Sequence, residues 1–259
     1  MKEQKSKKNA PFIILWVIFL ALVFWEVAFV TTLRLLDVVT AVLSIVILAK
    51  NKMPSKKYAV ISVVFAVLSV VAYLGVTADP FVLLIYSLMV GIPALLSSLA
   101  VFSVMESHGG YELVAKKEKH SLLKSITTGV LAGAVLAVVN TVIRMLGSGE
   151  EIAFDFALSK LLVCFNPGIY EEMAGRAIFM AYCVYFAGGK KMNWFQVLTM
   201  FFMMSMPHTL AHGYSFLSTV ILWLLFGIPF TILQKKKDLS SAMISHWLVD
   251  AVRFTLFGI

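Results

Sequence analysis

The chain has 259 residues, 60% of them hydrophobic and only 14% charged, and its mean hydropathy is +0.91. A soluble domain carries roughly 45–50% apolar and about 25% charged residues, so composition excludes a water-soluble globular protein. The net charge of +8 sits in short clusters between apolar runs, which points to anchoring at a membrane surface and away from nucleic acid as a partner.

A helical crossing takes about 20 apolar residues, so this length holds eight or nine spans and little else. The expected fold is all-α, a polytopic transmembrane helical bundle of about 8–9 spans. Apolar segments fall at 12–30, 33–49, 58–76, 80–105, 122–146, 157–186, 194–212, 214–233 and 240–258. Lys2, Lys5, Lys7 and Lys8 lead into the first, which is longer than a signal-peptide core and has no small-x-small cleavage site behind it. It reads as an uncleaved span. The first two segments form a tight hairpin whose Glu26, Arg34 and Asp37 are expected at a membrane surface or paired with each other.

The fifth segment carries Asn140 and Arg144, a polar pair four apart that either contacts the site or marks the outer surface, with the surface favoured. The sixth is too long for one straight crossing, and Asn166-Pro167 looks like a helix N-cap followed by a first-turn proline. Residues 155–165 then form a short interfacial or half-inserted helix. Cys164 and Cys183 lie in apolar sequence and read as packing thiols, not a disulfide. Residues 1–150 are expected to supply about five spans, and 151–259 a catalytic core. No internal repeat is found.

Lysines set the topology. They cluster at the N-terminus, at Lys50, Lys52, Lys56 and Lys57, at Lys116, Lys117 and Lys119, at Lys190 and Lys191, and at Lys235, Lys236 and Lys237. The intervening loops carry Asp79, Glu150, Glu151 and Asp155 instead. Every second loop is basic, as a cytoplasmic N-terminus requires. The expected setting is a bacterial cell membrane, with membrane lipid as surroundings.

An ionisable residue inside a span is costly and marks a functional site by default. Three such sets occur in the last third: Glu171, Glu172 and Arg176; His208 and His212; His246 and Asp250. Each set holds two residues four apart, which share one helix face. Glu171 is rotated about 100° from Glu172, so it can face a cavity while Glu172 pairs with Arg176. Scattered, these groups leave charges unpaired in lipid; convergence on one internal site satisfies them.

Glu-Glu-x-x-x-Arg, then a histidine ending a later helix, then His-x-x-x-Asp in the last helix resembles the CPBP family. These are the CAAX-protease and bacteriocin-processing intramembrane endopeptidases, also called the Abi family. The likeness runs from about Lys160 to Val252. It implies that Glu171 is a general base activating a water, with His212 holding or polarising that water. Glu172 and Arg176 would be the supporting pair, and His246 with Asp250 the oxyanion-stabilising set. The implied activity is endopeptidase cleavage, without a catalytic metal, of a peptide or membrane-anchored protein, as in CAAX-type processing, bacteriocin maturation or self-immunity.

Three positions depart from the family's pattern. His208 stands where phenylalanine is usual, Gly175 precedes Arg176 where a glycine often follows, and Asp250 replaces asparagine. An ionised aspartate cannot donate a hydrogen bond, so Asp250 is a candidate for orienting His246 instead.

Apart from the likeness, hydrolysis by water needs a base and a donor at the carbonyl oxygen. No serine or cysteine sits in a nucleophile motif. Zinc is the chemical rival: His208 and His212 are spaced like two ligands on a helix, with Glu171, His246 or Asp250 to complete the set. The glutamate that a zincin carries between such histidines is absent. No cofactor is therefore expected. The other readings are a non-catalytic scaffold or immunity protein and a proton-relaying transporter. Counting residues from the span ends places His212 and His246 at different depths, so convergence requires tilted or broken helices near Pro167 and Pro207.

Overall fold

The computed structural model describes residues 9–29, 35–77, 79–115, 121–147, 149, 151–212 and 215–258. Lys2, Lys5, Lys7, Lys8, Arg34, Lys116, Lys117, Lys119 and Glu150, named above, lie outside the described residues. The elements are α1 (Ala10–Phe29), α2 (Leu35–Lys50), α3 (Lys56–Val71, continued by a tighter turn Ala72–Gly75) and α4 (Pro80–His108). They continue with α5 (Ser121–Gly147), α6 (Leu158–Val163), α7 (166–187), α8 (Trp194–Leu210), α9 (Phe216–Lys236) and α10 (Leu239–Phe257). No strand occurs among the described residues, and the fold is the all-α bundle expected.

Helix starts follow local chemistry. Asp79 accepts from the amides of Phe81 and Val82 ahead of Pro80, Asn193 and Gln196 form a reciprocal capping box, and the Asp238 side chain accepts from Ser241 N. The outward faces are apolar: Leu20 is 63% exposed, Phe24 68% and Val27 77%. In water that surface would be an aggregation patch. In lipid it is the solvated face, and the protein is a multi-pass membrane protein.

Helices α6 and α7 run on through Cys164 and Phe165, so the described residues form nine continuous helical segments. Five helices are long and apolar enough to cross a membrane: those at 10–27, 56–74, 80–108, 121–147 and 216–236. The expected count of 8–9 exceeds this for a physical reason. Helices α2 and α8 have only 16 and 17 residues, while α7 and α10 carry the ionisable groups that lower their apolarity.

The basic loops gather at one end of the bundle. Asn193 Nδ2 donates to Asn9 Oδ1, the Tyr185 hydroxyl donates to the Lys50 carbonyl, and Ser55 bonds Glu106 through both its amide and its hydroxyl. Leu239 N donates to Glu112 O, which brings the turn after Lys235–Lys237 to the same end. At the other end 153–155 lies along the close of α10, through Ala153 N to Leu256 O and Asp155 N to Thr255 O.

Two packing features set the site. A Cβ added to Gly129 would lie 2.8 Å from Ser241 O, and one on Gly133 2.9 Å from Ser245 O. Glycines four apart thus let α5 pack backbone-to-backbone against α10, in the small-residue manner of membrane helices. The start of α10 is also sunk into protein, with Asp238 2% and Leu239 0% exposed, and with Asp238 accepting from Ser125 Oγ at 2.6 Å. His246 nonetheless reaches both glutamates of α7, so the sets meet in spite of the different depths counted from sequence.

Candidate functional site

The site forms where α7, α8 and α10 meet. Through 166–177 the backbone of α7 is wound in wide turns of i→i+5 type, starting at Asn166-Pro167. Such segments are rare and occur mostly at functional sites. In an ordinary α-helix, residues five apart point about 140° away from each other. The wider turn brings Asn166 and Glu171 onto one side, and Asn166 Nδ2 donates to Glu171 Oε1 at 3.2 Å. Asn166 is thus not the N-cap that the sequence predicts, since Phe165 ahead of it is already helical. The short helix expected at 155–165 is present as α6.

The second oxygen of Glu171 faces α8. Glu171 Oε2 lies 2.9 Å from His208 Nε2, and His208 Nε2 lies 3.2 Å from His212 Nε2. The contact histidine is His208, and His212 stands behind it on the more exposed side. His208 fits because Gly175 faces it: a Cβ at Gly175 would lie 2.9 Å from His208 Nδ1. Two of the departures from the family pattern therefore touch one another. Pro207 does not break α8, which continues to Leu210.

Glu172 points the other way, into protein. It is 0% exposed, accepts from Arg176 Nη1, and accepts from His246 Nδ1 at 2.7 Å. A carboxylate cannot donate, so Nδ1 of His246 carries the proton in this contact. Nε2 then faces the remaining acids, 3.8 Å from Glu171 Oε2 and 3.4 Å from Asp250 Oδ2. Phe230 stacks on the imidazole of His246 at 4.5 Å and lies under the Arg176 guanidinium at 5.2 Å. Arg253 Nη1 is 3.6 Å from Asp250 Oδ1. Three carboxylates and two guanidiniums thus gather around the imidazole of His246.

Glu171, His208, His212, His246, Asp250 and Arg176 all line one cavity of about 540 Å³. Every residue of the three polar sets except Glu172, which clamps from behind, reaches that space. The cavity wall also includes Asn140 and Arg144, for which sequence reasoning favoured the outer surface; the close approach of α5 to α10 turns them inward. A second, smaller cavity of about 80 Å³ touches Glu171, His208 and His212 from the other side and is bounded by Asp37. Asp37 accepts from the Tyr170 hydroxyl, which places it beside the site; the pairing with Arg34 expected as one alternative lies outside the described residues. Asn166, Phe230 and Arg253 were missed because they carry no motif. Only the three-dimensional register of α7, α9 and α10 exposes them.

The site is thus a polar cavity walled by glutamate and histidine from three helices of a membrane protein. Residues 153–252 match the family model described as type II CAAX prenyl endopeptidase Rce1-like, and this segment, which holds all three polar sets, belongs to the CPBP family. The match supports a protease, and with it a peptide or membrane-protein substrate. No curated protein and no solved structure matches the chain.

Proposed function

We propose that the protein is an intramembrane endopeptidase in which Glu171 activates a water against a peptide bond. The observation that carries this reading is the holding of Glu171. One oxygen accepts from Asn166 and the other from His208, while the carboxyl faces a cavity large enough for an extended peptide segment. A base held on both oxygens is preorganised for proton transfer and needs no further ordering at the moment of reaction.

The steps balance. A water beside Glu171, positioned by His208 and His212, gives its proton to the carboxylate as its oxygen bonds to the scissile carbonyl carbon. Negative charge develops on the carbonyl oxygen, where a proton on His246 Nε2 donates to it. Glu172, held by Arg176, fixes the imidazole through Nδ1, and Asp250 orients it from the Nε2 side. Collapse breaks the C–N bond, and Glu171 returns its proton to the leaving amine. No acyl-enzyme is required, and the nearby Ser205 hydroxyl is engaged with the Phe201 carbonyl and with Trp223 Nε1.

Residues 1–150 wrap the 151–259 core and control lateral entry from lipid. The basic end of the bundle is the cytoplasmic one, by the positive-inside rule. The substrate is a membrane-associated protein or peptide of the CAAX-processing, bacteriocin-maturation or self-immunity kind. The test is a comparison of protein termini in membranes of cells carrying wild type or Glu171→Ala. A set of termini that appears only with wild type supports the reading. Identical termini from equally abundant proteins refute it.

A further inference from the structure

We propose that Glu171, His208 and His212 form a binding site for one transition-metal dication of the Zn2+ class, and that the bound ion turns Glu171 from a base into a ligand. The first half stands whether or not the chain cuts peptides; the second rests on the hydrolytic reading above.

The donor set is one carboxylate and two imidazoles, the hard–borderline mixture that suits Zn2+ and its neighbours. Their ligand atoms all lie within 4.8 Å of one another. A tetrahedral ion with bonds of about 2.0–2.1 Å holds its ligands about 3.3–3.4 Å apart. The separations of 2.9 Å between Glu171 Oε2 and His208 Nε2, and 3.2 Å between the two Nε2 atoms, are within a few tenths of an ångström of that spacing, and the third pair closes to it from no more than 4.8 Å.

Nε2 of His208 lies within reach of both Glu171 Oε2 and His212 Nε2. One proton cannot join all three atoms, and a dication can. Asn166 holds the other oxygen of Glu171, the outer-shell bond that fixes a ligating carboxylate. His212 is exposed, which gives the ion an entry path and leaves a fourth position for water.

The arrangement is built by this chain's own departures from the family pattern. Gly175 makes the room that His208 fills, and a methyl group there would collide with the ring at Nδ1. With phenylalanine at 208 the set would drop to two ligands.

The test uses the full chain, purified in detergent and stripped with a chelator. Zn2+ is titrated against a chromophoric competitor, and Co2+ is added separately for its visible absorption. The expected result is one ion per chain, with a tetrahedral-type Co2+ spectrum. Glu171→Gln and His212→Ala should abolish the spectrum. Gly175→Ala keeps every ligand but displaces His208 and should weaken Zn2+ binding about 10–100-fold, the usual cost of disturbing a ligand's support. It therefore decides the matter if a ligand variant fails to fold. His108→Ala, at the end of α4, should change nothing.

Absence of binding, binding unaltered by Gly175→Ala, or binding that follows His108 overturns the site. In a cleavage assay added Zn2+ should inhibit and chelator restore. Activation by Zn2+ with loss on chelation would keep the site and overturn both the base-to-ligand exchange and the metal-free mechanism. Zn2+ bound with no effect on cleavage would overturn the exchange alone. Ion binding by a chain that cuts nothing would fail the hydrolytic reading and leave the site standing.

Discussion

Replacing Arg176 with methionine keeps most of the side-chain volume and removes one charge from a pair in which Arg176 is 2% and Glu172 0% exposed. The carboxylate left behind has lost its guanidinium, keeps only the bond from His246 Nδ1, and cannot reach water. Breaking a buried pair in this way costs about 3–5 kcal/mol, whereas the same i,i+4 pair on a wet surface contributes about 0.3–0.5 kcal/mol. At roughly 2–4 °C per kcal/mol for a chain near this size, the midpoint of thermal unfolding should fall by about 6–20 °C. Adding Glu172→Gln to Arg176→Met removes both charges, and stability should return most of the way, because an apolar or neutral replacement of a buried pair is close to neutral. Activity should not return, since His246 Nδ1 loses its carboxylate acceptor. The assay is unfolding of purified protein in one detergent, followed by tryptophan fluorescence. An Arg176→Met protein as stable as wild type would refute the claim that this pair is buried and mutually dependent.

Other expectations test separate parts of the structure. Asn166→Ala removes a donor to the Glu171 carboxylate; a hydrogen bond to a charged group contributes about 1.5–3 kcal/mol, so kcat/KM should drop roughly 10- to 150-fold with little change in unfolding. Asp250→Asn should keep activity within a few-fold, because the amide oxygen still accepts from His246 Nε2, while Asp250→Leu should lose it; equal rates for the two would remove Asp250 from the site. Gly133→Val pushes a branched side chain onto Ser245 O and should destabilise by about 1–3 kcal/mol or more, measured by the same unfolding assay. Cys164 and Cys183 are buried and free, so a water-soluble maleimide should label neither until the protein is denatured.

The spans, the alternation of basic loops and the three polar sets were legible because each depends on composition or on four-residue spacing, which an α-helix converts directly into a shared face. Asn166 was not legible in its role. Its five-residue offset from Glu171 means nothing in an α-helix and becomes a contact only in the wide turns of α7. His208 carried a motif-like spacing with His212 but no indication that it would touch Glu171. The glycine that admits it, Gly175, is visible in sequence, yet the contact runs between two helices. The depths counted from the span ends did not foresee that His246 reaches the glutamates of α7. Asn140 and Arg144 line the cavity, the alternative to the outer surface favoured for them. Nothing local tells a polar residue near a span end whether it faces headgroups or a cavity.

The most direct measurement is the rate at which purified Glu171→Gln cuts a membrane-anchored peptide that wild type cuts, with the unfolding midpoint recorded for both. Glutamine keeps the shape of the side chain and an oxygen to accept a hydrogen bond but cannot take a proton from water at neutral pH. The expected outcome is a fold of equal stability whose cleavage is lost, by at least the 10²–10⁴-fold that a general base contributes. Cleavage at a near wild-type rate would show that Glu171 does not activate the water and would contradict the account at its centre.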